Sequence, residues 1–272
     1  MPSSTPKIGL ALSGGAARGM AHVGVLRALA ENNIPIDCIA GTSAGSIVAG
    51  AYASGMPIDD IAEFGRNLRW RDIGRVTMSR LGIQSNERLE LYLRARLPIT
   101  KFEDLPIPFA AVATDLKTNT AVVMRDRGDV PFAIRASCTI PGWYVPVVDE
   151  QGRQLVDGGL VAVIPTVVTR SLGADLVIAV DVNTQGATFI GSSSSSVIGV
   201  LLQSMMVVQK TASAHQLEMS DFVISPMVGH IRWDEMGRAD ELIAAGYEAG
   251  LKNITEIREL IDSAGERQEM LA

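Results

Sequence analysis

The chain has 272 residues and 47% of them are hydrophobic, which is enough for one large α/β domain and excludes a chain that is disordered throughout. Its formal net charge of −6 argues against a general nucleic-acid-binding protein, because such proteins carry a basic footprint. There are two cysteines, Cys38 and Cys138, and their apolar surroundings predict buried, reduced thiols instead of a disulfide framework.

Apolar runs that are typical of buried strands alternate with helical patterns up to residue 181. The predicted strands are residues 7–12, 36–40, 109–114, 120–124, 154–157 and 176–181, and the predicted helices are residues 21–31, 46–54, 130–138 and 163–172. Residues 58–97 are predicted to be helical in several pieces. This order predicts an α/β fold of three layers, in which helices cover both faces of a mostly parallel central sheet.

The last third of the chain differs in composition. A serine run at residues 191–196 predicts a mobile loop or hinge. The apolar segment from Val197 to Val208 leaves three interpretations open, a buried helix, an oligomer contact or a lid over a lipid site, of which the buried helix is favoured. A closing helix is predicted at residues 238–261, followed by a frayed polar tail. The chain is therefore divided into a tail (1–7), a main α/β domain (8–182) and a helical extension packed on that domain (183–272), and its oligomeric state is left open.

Positive charge is concentrated between Arg66 and Lys101. This segment holds nine Arg or Lys residues against three acidic residues, so it carries +6 and the rest of the chain −12. Large apolar residues are interleaved with the arginines: Trp70, Met78, Leu81 and Ile83. Two interpretations stay open, a patch or lid that touches anionic lipid headgroups and a solvated face of surface helices.

The N-terminal sequence has no charged region followed by an apolar core, as a signal peptide would, and no stretch of about 18 apolar residues is present. These features predict a cytoplasmic protein. Peripheral contact with the inner face of the membrane is left open, because the basic segment is compatible with it.

The most informative motif is the G-x-S-x-G box that runs from Gly41 to Gly45 with Ser43 at its centre. It follows an apolar run and precedes a helical one, as in a nucleophile elbow, where a serine lies on a sharp turn between a strand and a helix. The glycines permit a strained backbone and leave room for a substrate carbonyl, and the helix N-terminus favours a developing alkoxide. Taken alone, the box would be interpreted as an ordinary helix-capping turn.

A serine nucleophile needs a base. The three histidines of the chain are interpreted as structural, since none lies in a catalytic pattern: His22, His215 and His230. Asp157 is the better candidate, because it ends a predicted strand of the same sheet and precedes Gly158 and Gly159. A carboxylate in a dry site can take the proton of Ser43 directly. The alternative is an Asp-Gly turn without a catalytic role.

A glycine-rich turn from Gly14 to Gly19 separates the first predicted strand from the first predicted helix. Its backbone N–H groups predict a nest for an anion, and acyl transfer needs such donors at the developing oxyanion. The rival hypothesis is a nucleotide phosphate site, because the spacing is close to the dinucleotide fingerprint. Against this hypothesis, the second predicted strand ends in the serine box and not in an acidic residue.

These three clusters, in this order, resemble the motifs of the patatin-like phospholipases: a Gly-Gly-Gly-x-Arg/Lys-Gly loop, a G-x-S-x-G box and an Asp-Gly-Gly/Ala motif. Further similarity lies in residues 113–116, 136–141 and 173–175, so the resemblance covers about residues 7–181. Within the family the chain is most similar to the bacterial group allied to the neuropathy-target-esterase branch. The resemblance implies a three-layer α/β/α fold with a nucleophile elbow.

The resemblance also implies a Ser–Asp dyad without histidine, in which Ser43 is the nucleophile and Asp157 the base. The oxyanion hole that it implies is the loop of Gly14, Gly15, Ala16 and Arg18, in which backbone N–H groups are the donors and Arg18 supports the loop. The glycines that it implies as motif support are Gly19, Gly41, Gly45, Gly158 and Gly159. Two positions depart from the family pattern, Ala16 at the third glycine and Val163 where asparagine is frequent. No metal or other cofactor is implied.

The resulting expectation is a carboxylic ester hydrolase that acts on phospholipids, lysophospholipids or simpler lipid esters, and so takes part in lipid degradation. Two alternatives from other classes stay open. One is a non-catalytic binding or regulatory protein on a hydrolase fold, because fold does not fix function. The other is a nucleotide-binding protein built on the glycine-rich turn.

Overall fold

The computed structural model describes residues 5–183 and 197–271. Its strands are β1 (Ile8–Leu12), β2 (Cys38–Thr42), β3 (Arg75–Val76), β4 (Gly82–Ser85), β5 (Phe109–Asp115), β6 (Thr120–Met124), β7 (Gly142–Tyr144), β8 (Val147–Val148), β9 (Gln154–Asp157), β10 (Leu176–Val180) and β11 (Phe222–Ile224). Its helices are α1 (Ala21–Glu31), α2 (Ala44–Ala53), α3 (Ile58–Asn67), α4 (Trp70–Ile73), α5 (Glu87–Arg94), α6 (Val130–Ser137), α7 (Thr166–Ser171), α8 (Val197–Glu218) and α9 (Ala239–Leu271). The predicted loop at residues 191–196 lies outside the described residues.

The main sheet has the strand order β11-β10-β1-β2-β5-β9-β8, and β6 also pairs with β5. The strands from β11 to β5 in this order run parallel to their neighbours, whereas β6 and β9 pair antiparallel with β5 and β8 pairs antiparallel with β9. Every residue of β1, β2, β5 and β10 is buried, as expected for parallel strands covered on both faces. The predicted α/β fold class is therefore confirmed.

The two faces of the sheet are covered by different apolar clusters. Ile8, Leu10 and Leu12 of β1 pack in the cluster that contains Leu26 of α1, whereas Ala11 belongs to the cluster beside α7. This separation follows from the strand geometry, because successive side chains of a strand point to opposite faces. Helices on both faces give the three layers that the sequence predicts.

Helix α9 packs closely against α1 through glycines. A side chain at Gly24 would collide with the backbone at Ile243, and one at Gly246 would collide with the backbone at Ala21. The two helix backbones can approach this closely only because both positions lack a Cβ atom. The helix also continues to Leu271, beyond the predicted end at residue 261, since Ala264 is still buried and the following residues favour helix.

Residues 75–85 correct the prediction of helices throughout residues 58–97. They form the hairpin β3–β4, which joins β7 in a small second sheet. Gly82 lies opposite Gly142 in this sheet, and a side chain at Gly82 would collide with the backbone at Tyr144. The strand β11 was likewise not predicted; it extends the main sheet from within the C-terminal segment.

Candidate active site

Ser43 lies at the turn between β2 and α2. Its φ of 51° and ψ of −125° fall in a region that residues other than glycine rarely adopt. Its N–H donates to Ser137 Oγ (2.8 Å), and its carbonyl oxygen accepts a hydrogen bond from Ser46 Oγ (2.6 Å). A side chain at Gly41 would collide with the backbone at Gly45, and one at Gly45 with the backbone at the end of β1. The strained turn is thus held by contacts on both sides, and it forms the predicted elbow.

Asp157 is the last residue of β9. Thr114 Oγ1 of the adjacent strand β5 donates to the Asp157 carbonyl oxygen (2.9 Å), and the Gly159 N–H donates to Asp157 Oδ1 (2.8 Å). A side chain at Gly158 would collide with the carbonyl oxygen of Val112 on β5. The two glycines therefore let the chain turn sharply against the sheet, and this turn fixes the carboxyl group.

The Asp157 carboxyl group is buried, since the residue is 4% exposed. Burial raises its pKa to about 6, although hydrogen bonds from the Ser43 side chain and from the Gly159 N–H favour the carboxylate and limit the rise. The group is therefore a stronger base than a solvated aspartate and is still mostly ionised at neutral pH.

The glycine-rich turn lies beside the serine. A Cβ atom at Gly14 would be 3.3 Å from Ser43 Cβ, so Gly14 packs directly against the nucleophile candidate. The Gly14 N–H, however, donates to the carbonyl oxygen of Val163 (3.0 Å) and is not available to a substrate. Gly15 and Ala16 are partly exposed, and their N–H groups have no acceptor among the described residues. The available donors of the predicted oxyanion hole are therefore those of Gly15 and Ala16.

Arg18 and Gly19 lie behind this turn and not in the cavity. The Arg18 side chain is 1% exposed, and its Nε donates to the carbonyl oxygen of Ile231 (2.7 Å), which ties the turn to the segment before α9. A side chain at Gly19 would collide with Ala44, so the turn packs tightly against the first residue of α2. Both residues are placed to support the turn.

The three histidines are not in contact with the serine. His22 is buried, its Nε2 lies 2.8 Å from the carbonyl oxygen of Ser13, and burial lowers its pKa to about 4. His215 and His230 are exposed beside Glu218 and Glu241, respectively. A Ser-His-Asp arrangement is therefore not formed.

Two cavities meet at Ser43. The Ser–Asp cavity is lined by Gly15, Ala16, Ser43, Asp157, Gln209 and Lys210, among others. The apolar cavity is lined by side chains that include Ile61, Phe64, Leu68, Ile73, Leu89 and Tyr144. Ala16, Ser43 and Ile140 belong to both, whereas Asp157 belongs to the first cavity alone. A ligand bound at Ser43 can therefore extend in two directions, and of these two cavities the first alone has charged side chains in its lining.

Helix α8 forms one wall of the Ser–Asp cavity. Leu202, Met205 and Met206 face the cavity, whereas Val200 and Val207 are exposed. The favoured interpretation of Val197 to Val208 as a buried helix is therefore wrong, because one side of the helix faces solvent. Among the described residues no helix is long and apolar enough to cross a bilayer.

Three residues lie near the site but were not predicted from the sequence to belong to it. Ser137 accepts the Ser43 N–H, and Asn183 Nδ2 donates to the Gly14 carbonyl oxygen (2.6 Å). Cys138 Sγ lies 3.9 Å from Ser46 Oγ and lines the apolar cavity. Ser137 and Cys138 fall within the family-like residues 136–141, but Asn183 has no local signal because its contact is made across the sheet. The prediction of buried, free thiols at Cys38 and Cys138 is confirmed.

Comparison with known proteins agrees with this architecture. Residues 10–169 match the family model for patatin-like phospholipase, so the resemblance stated above is confirmed. The match includes the elbow and Asp157 and ends before α8. In fold, the chain is similar to VipD from Legionella pneumophila, with a TM-score of 0.56 and 15% identity over 96% of this chain and 67% of that chain.

Two relatives illustrate the sequence similarity. An uncharacterised NTE family protein of Mycobacterium bovis is 41% identical over 184 residues, which are 66% of this chain and 50% of the relative. Lysophospholipase NTE1 of Mycosarcoma maydis is 39% identical over 183 residues, which are 64% of this chain and 10% of that protein. The chain thus spans about half the length, or less, of these relatives.

Proposed function

Because this chain belongs to the patatin-like phospholipase family, we propose that it hydrolyses carboxylic esters of lipids with Ser43 as nucleophile and Asp157 as base. One observation carries the proposal. The Ser43 side chain and a buried carboxyl group whose pKa is raised line one cavity, together with Gly15 and Ala16, whose N–H groups have no acceptor among the described residues. This arrangement holds a nucleophile, a base and an anion site within reach of one ester group.

The reaction follows from these positions. Asp157 takes the Ser43 proton while Ser43 Oγ forms a bond to the ester carbonyl carbon, and the N–H groups of Gly15 and Ala16 donate to the resulting oxyanion. The ester C–O bond then breaks, and protonated Asp157 gives its proton to the leaving alkoxide. Water attacks the acyl-enzyme with Asp157 again as base, and Ser43 recovers its proton as the fatty acid leaves.

In this proposal the acyl chain extends into the apolar cavity, which starts at Ser43 and is walled by aliphatic and aromatic side chains of α3, α4 and α5. Burial of each methylene group contributes about 0.8 kcal/mol, so this cavity favours long acyl chains. The nucleotide hypothesis has less support. The glycine-rich turn packs against Ser43, and its exposed N–H groups line the same cavity as the Asp157 carboxyl group, which would repel a phosphate.

The proposal is tested with a fluorophosphonate probe and a series of nitrophenyl esters. We expect the probe to label Ser43 in a tryptic peptide map, and kcat/KM to rise at least about tenfold from the acetyl to the octanoyl ester. A folded protein that is neither labelled nor active would favour the non-catalytic alternative. Stabilisation by a nucleotide in a thermal-shift screen would instead revive the nucleotide hypothesis.

We also propose that the hairpin β3–β4 makes peripheral contact with lipid. Val76, Met78 and Leu81 are exposed there, and the Met78 side chain is fully exposed to solvent. Arg75 and Arg80 are exposed beside them and have no acidic partner among the described residues. Exposed apolar side chains framed by cations suit an anionic lipid surface, where each cation contributes about 1 kcal/mol. The hairpin directly follows α4, whose residues line the apolar cavity.

Vesicle sedimentation checks this contact. The double variant Arg75→Gln, Arg80→Gln and the single variant Met78→Asp should each bind vesicles of phosphatidylglycerol and phosphatidylcholine about tenfold more weakly at low salt. Met227→Asp, which changes an exposed methionine elsewhere, serves as the matched control and should bind as the wild type does. No binding of the wild type to these vesicles would rule the contact out.

A further inference from the structure

Helix α8 is fixed over the site by one glutamine. Gln216 Oε1 accepts the Ile164 N–H (2.8 Å), and Gln216 Nε2 donates to the Val161 carbonyl oxygen (3.1 Å). These bonds clamp α8 to the segment that follows the Asp157 turn. Closer to the cavity, a side chain at Gly159 would collide with the Gln209 amide, so α8 also packs against that turn. These contacts fix the position of residues 209–216 relative to Asp157.

The leaving group of an ester bound at Ser43 must extend into the Ser–Asp cavity. Asp157 has to deliver a proton to the leaving oxygen, and Asp157 lines this cavity but not the apolar one. With the acyl chain in the apolar cavity, the alcohol part of the substrate therefore points toward α8. The groups on α8 that face the cavity are in position to contact it.

Lys210 is the one cation among the described residues that line the Ser–Asp cavity. It is exposed at the cavity wall, and no acidic side chain among the described residues pairs with it. Arg135, by contrast, is paired with Glu90. A flexible ammonium group that has no acidic partner among the described residues, and that lies beside the path of the leaving group, is suited to an anionic substituent on that group.

Resting on the proposed function, we infer that Lys210 binds a phosphate carried by the leaving alcohol and so makes the site selective for phosphate-bearing lipid esters. Lys210 is a specificity-determining residue that touches the substrate away from the reacting atoms. It lies beyond residues 10–169, which match the family model, so this selectivity belongs to the C-terminal part of this chain.

The test compares two substrates that differ in the phosphate alone: a 1-acyl-glycerol 3-phosphate and the 1-acylglycerol with the same chain, both below their critical micelle concentrations. We expect Lys210→Met to lower kcat/KM about tenfold for the phosphate ester, mainly through KM, and to change it less than twofold for the uncharged ester. Lys210→Arg should keep most of the preference. Lys252→Met, which removes an exposed lysine of α9, is the matched control and should leave both values unchanged.

The outcomes separate the two proposals. If the wild type hydrolyses both esters and Lys210→Met changes them equally or not at all, the role of Lys210 is wrong and the proposed function stands. If the wild type hydrolyses neither ester and no nitrophenyl ester, the proposed function fails and the inference fails with it. Added salt gives a second readout, because it should reduce the phosphate preference of the wild type and not that of Lys210→Met.

Discussion

The Ser43→Ala variant is expected to lose fluorophosphonate labelling and at least about 10⁴-fold of the esterase kcat/KM. The Ser43 hydroxyl group, which shares its cavity with the buried Asp157 carboxyl group, is the proposed nucleophile, and alanine removes only that group. The hydrogen bonds that hold the elbow are made by the Ser43 backbone and are retained. The residual rate then reports what binding and the oxyanion donors contribute without covalent catalysis.

Ser54→Ala is the matched control, because Ser54 lies at the other end of the same helix, is buried away from both cavities, and among the described residues hydrogen-bonds within that helix alone. It should keep both labelling and activity. Circular dichroism and a thermal melt establish that both variants are folded. Retention of substantial activity by a folded Ser43→Ala protein would show that the hydrolysis, whatever its source, does not use the elbow.

The Asp157→Asn variant is expected to lose at least about 10³-fold of kcat/KM and, at the same time, to become more stable at pH 8. Asparagine can still accept the Gly159 N–H, but it cannot take the serine proton. The gain in stability has an electrostatic origin. Burial raises the pKa of Asp157 from the ordinary 3.8 to about 6, so the folded state binds this proton more tightly than the unfolded state does.

Because the pKa of Asp157 is higher in the folded state than in the unfolded state, ionisation of this group lowers the stability of the fold. Above pH 6 the wild-type protein holds a buried negative charge, which destabilises the fold by up to about 3 kcal/mol for a shift of two pKa units. This destabilisation decreases as the pH falls through about 6 and is absent below the ordinary pKa. The Tm of Asp157→Asn should therefore exceed that of the wild type by several degrees at pH 8, and the difference should vanish near pH 4.

If Asp157 is the base, as proposed, the same titration governs catalysis in the wild type. The kcat/KM for an ester without titratable groups should fall about tenfold per pH unit below pH 6 and be level above it. Asp126→Asn, which alters an exposed loop aspartate, should match the wild type in activity and in both melts. An Asp157→Asn protein that is active, or one that is less stable than the wild type at pH 8, would contradict the assignment of a desolvated base.

Local signals explain which parts of the structure could be predicted from sequence. The elbow is specified by adjacent residues, since the close backbone approaches at Gly41 and Gly45 occur within one turn and its neighbouring strand. Asp157 could be proposed because a strand and two glycines mark its position. The pairing of Ser43 and Asp157 as a catalytic dyad stays a prediction until the variants are measured.

Other features depend on contacts between distant segments and leave no local pattern. The hairpin β3–β4 is completed by β7, more than fifty residues later, so its short strands resemble broken helix in the sequence. The Gly14 N–H donates to the carbonyl oxygen of Val163 and is therefore not an oxyanion donor. The glycine motif alone does not predict this hydrogen bond, because Val163 lies far away in the sequence. Lys210 lines the Ser–Asp cavity because Gln216 holds α8 against the segment that follows the Asp157 turn.

The backbone conformation of Ser43 places catalysis and stability in opposition at a single position. A residue other than glycine held at positive φ carries a strain of about 1–2 kcal/mol, and glycine would relieve it. An evolving lineage that no longer needed ester hydrolysis could therefore gain stability by substituting this serine, and again by neutralising Asp157. A relative with glycine and asparagine at these two positions would be the expected form of a pseudoenzyme. This chain has serine and aspartate at these positions, the residues that the proposed hydrolysis requires.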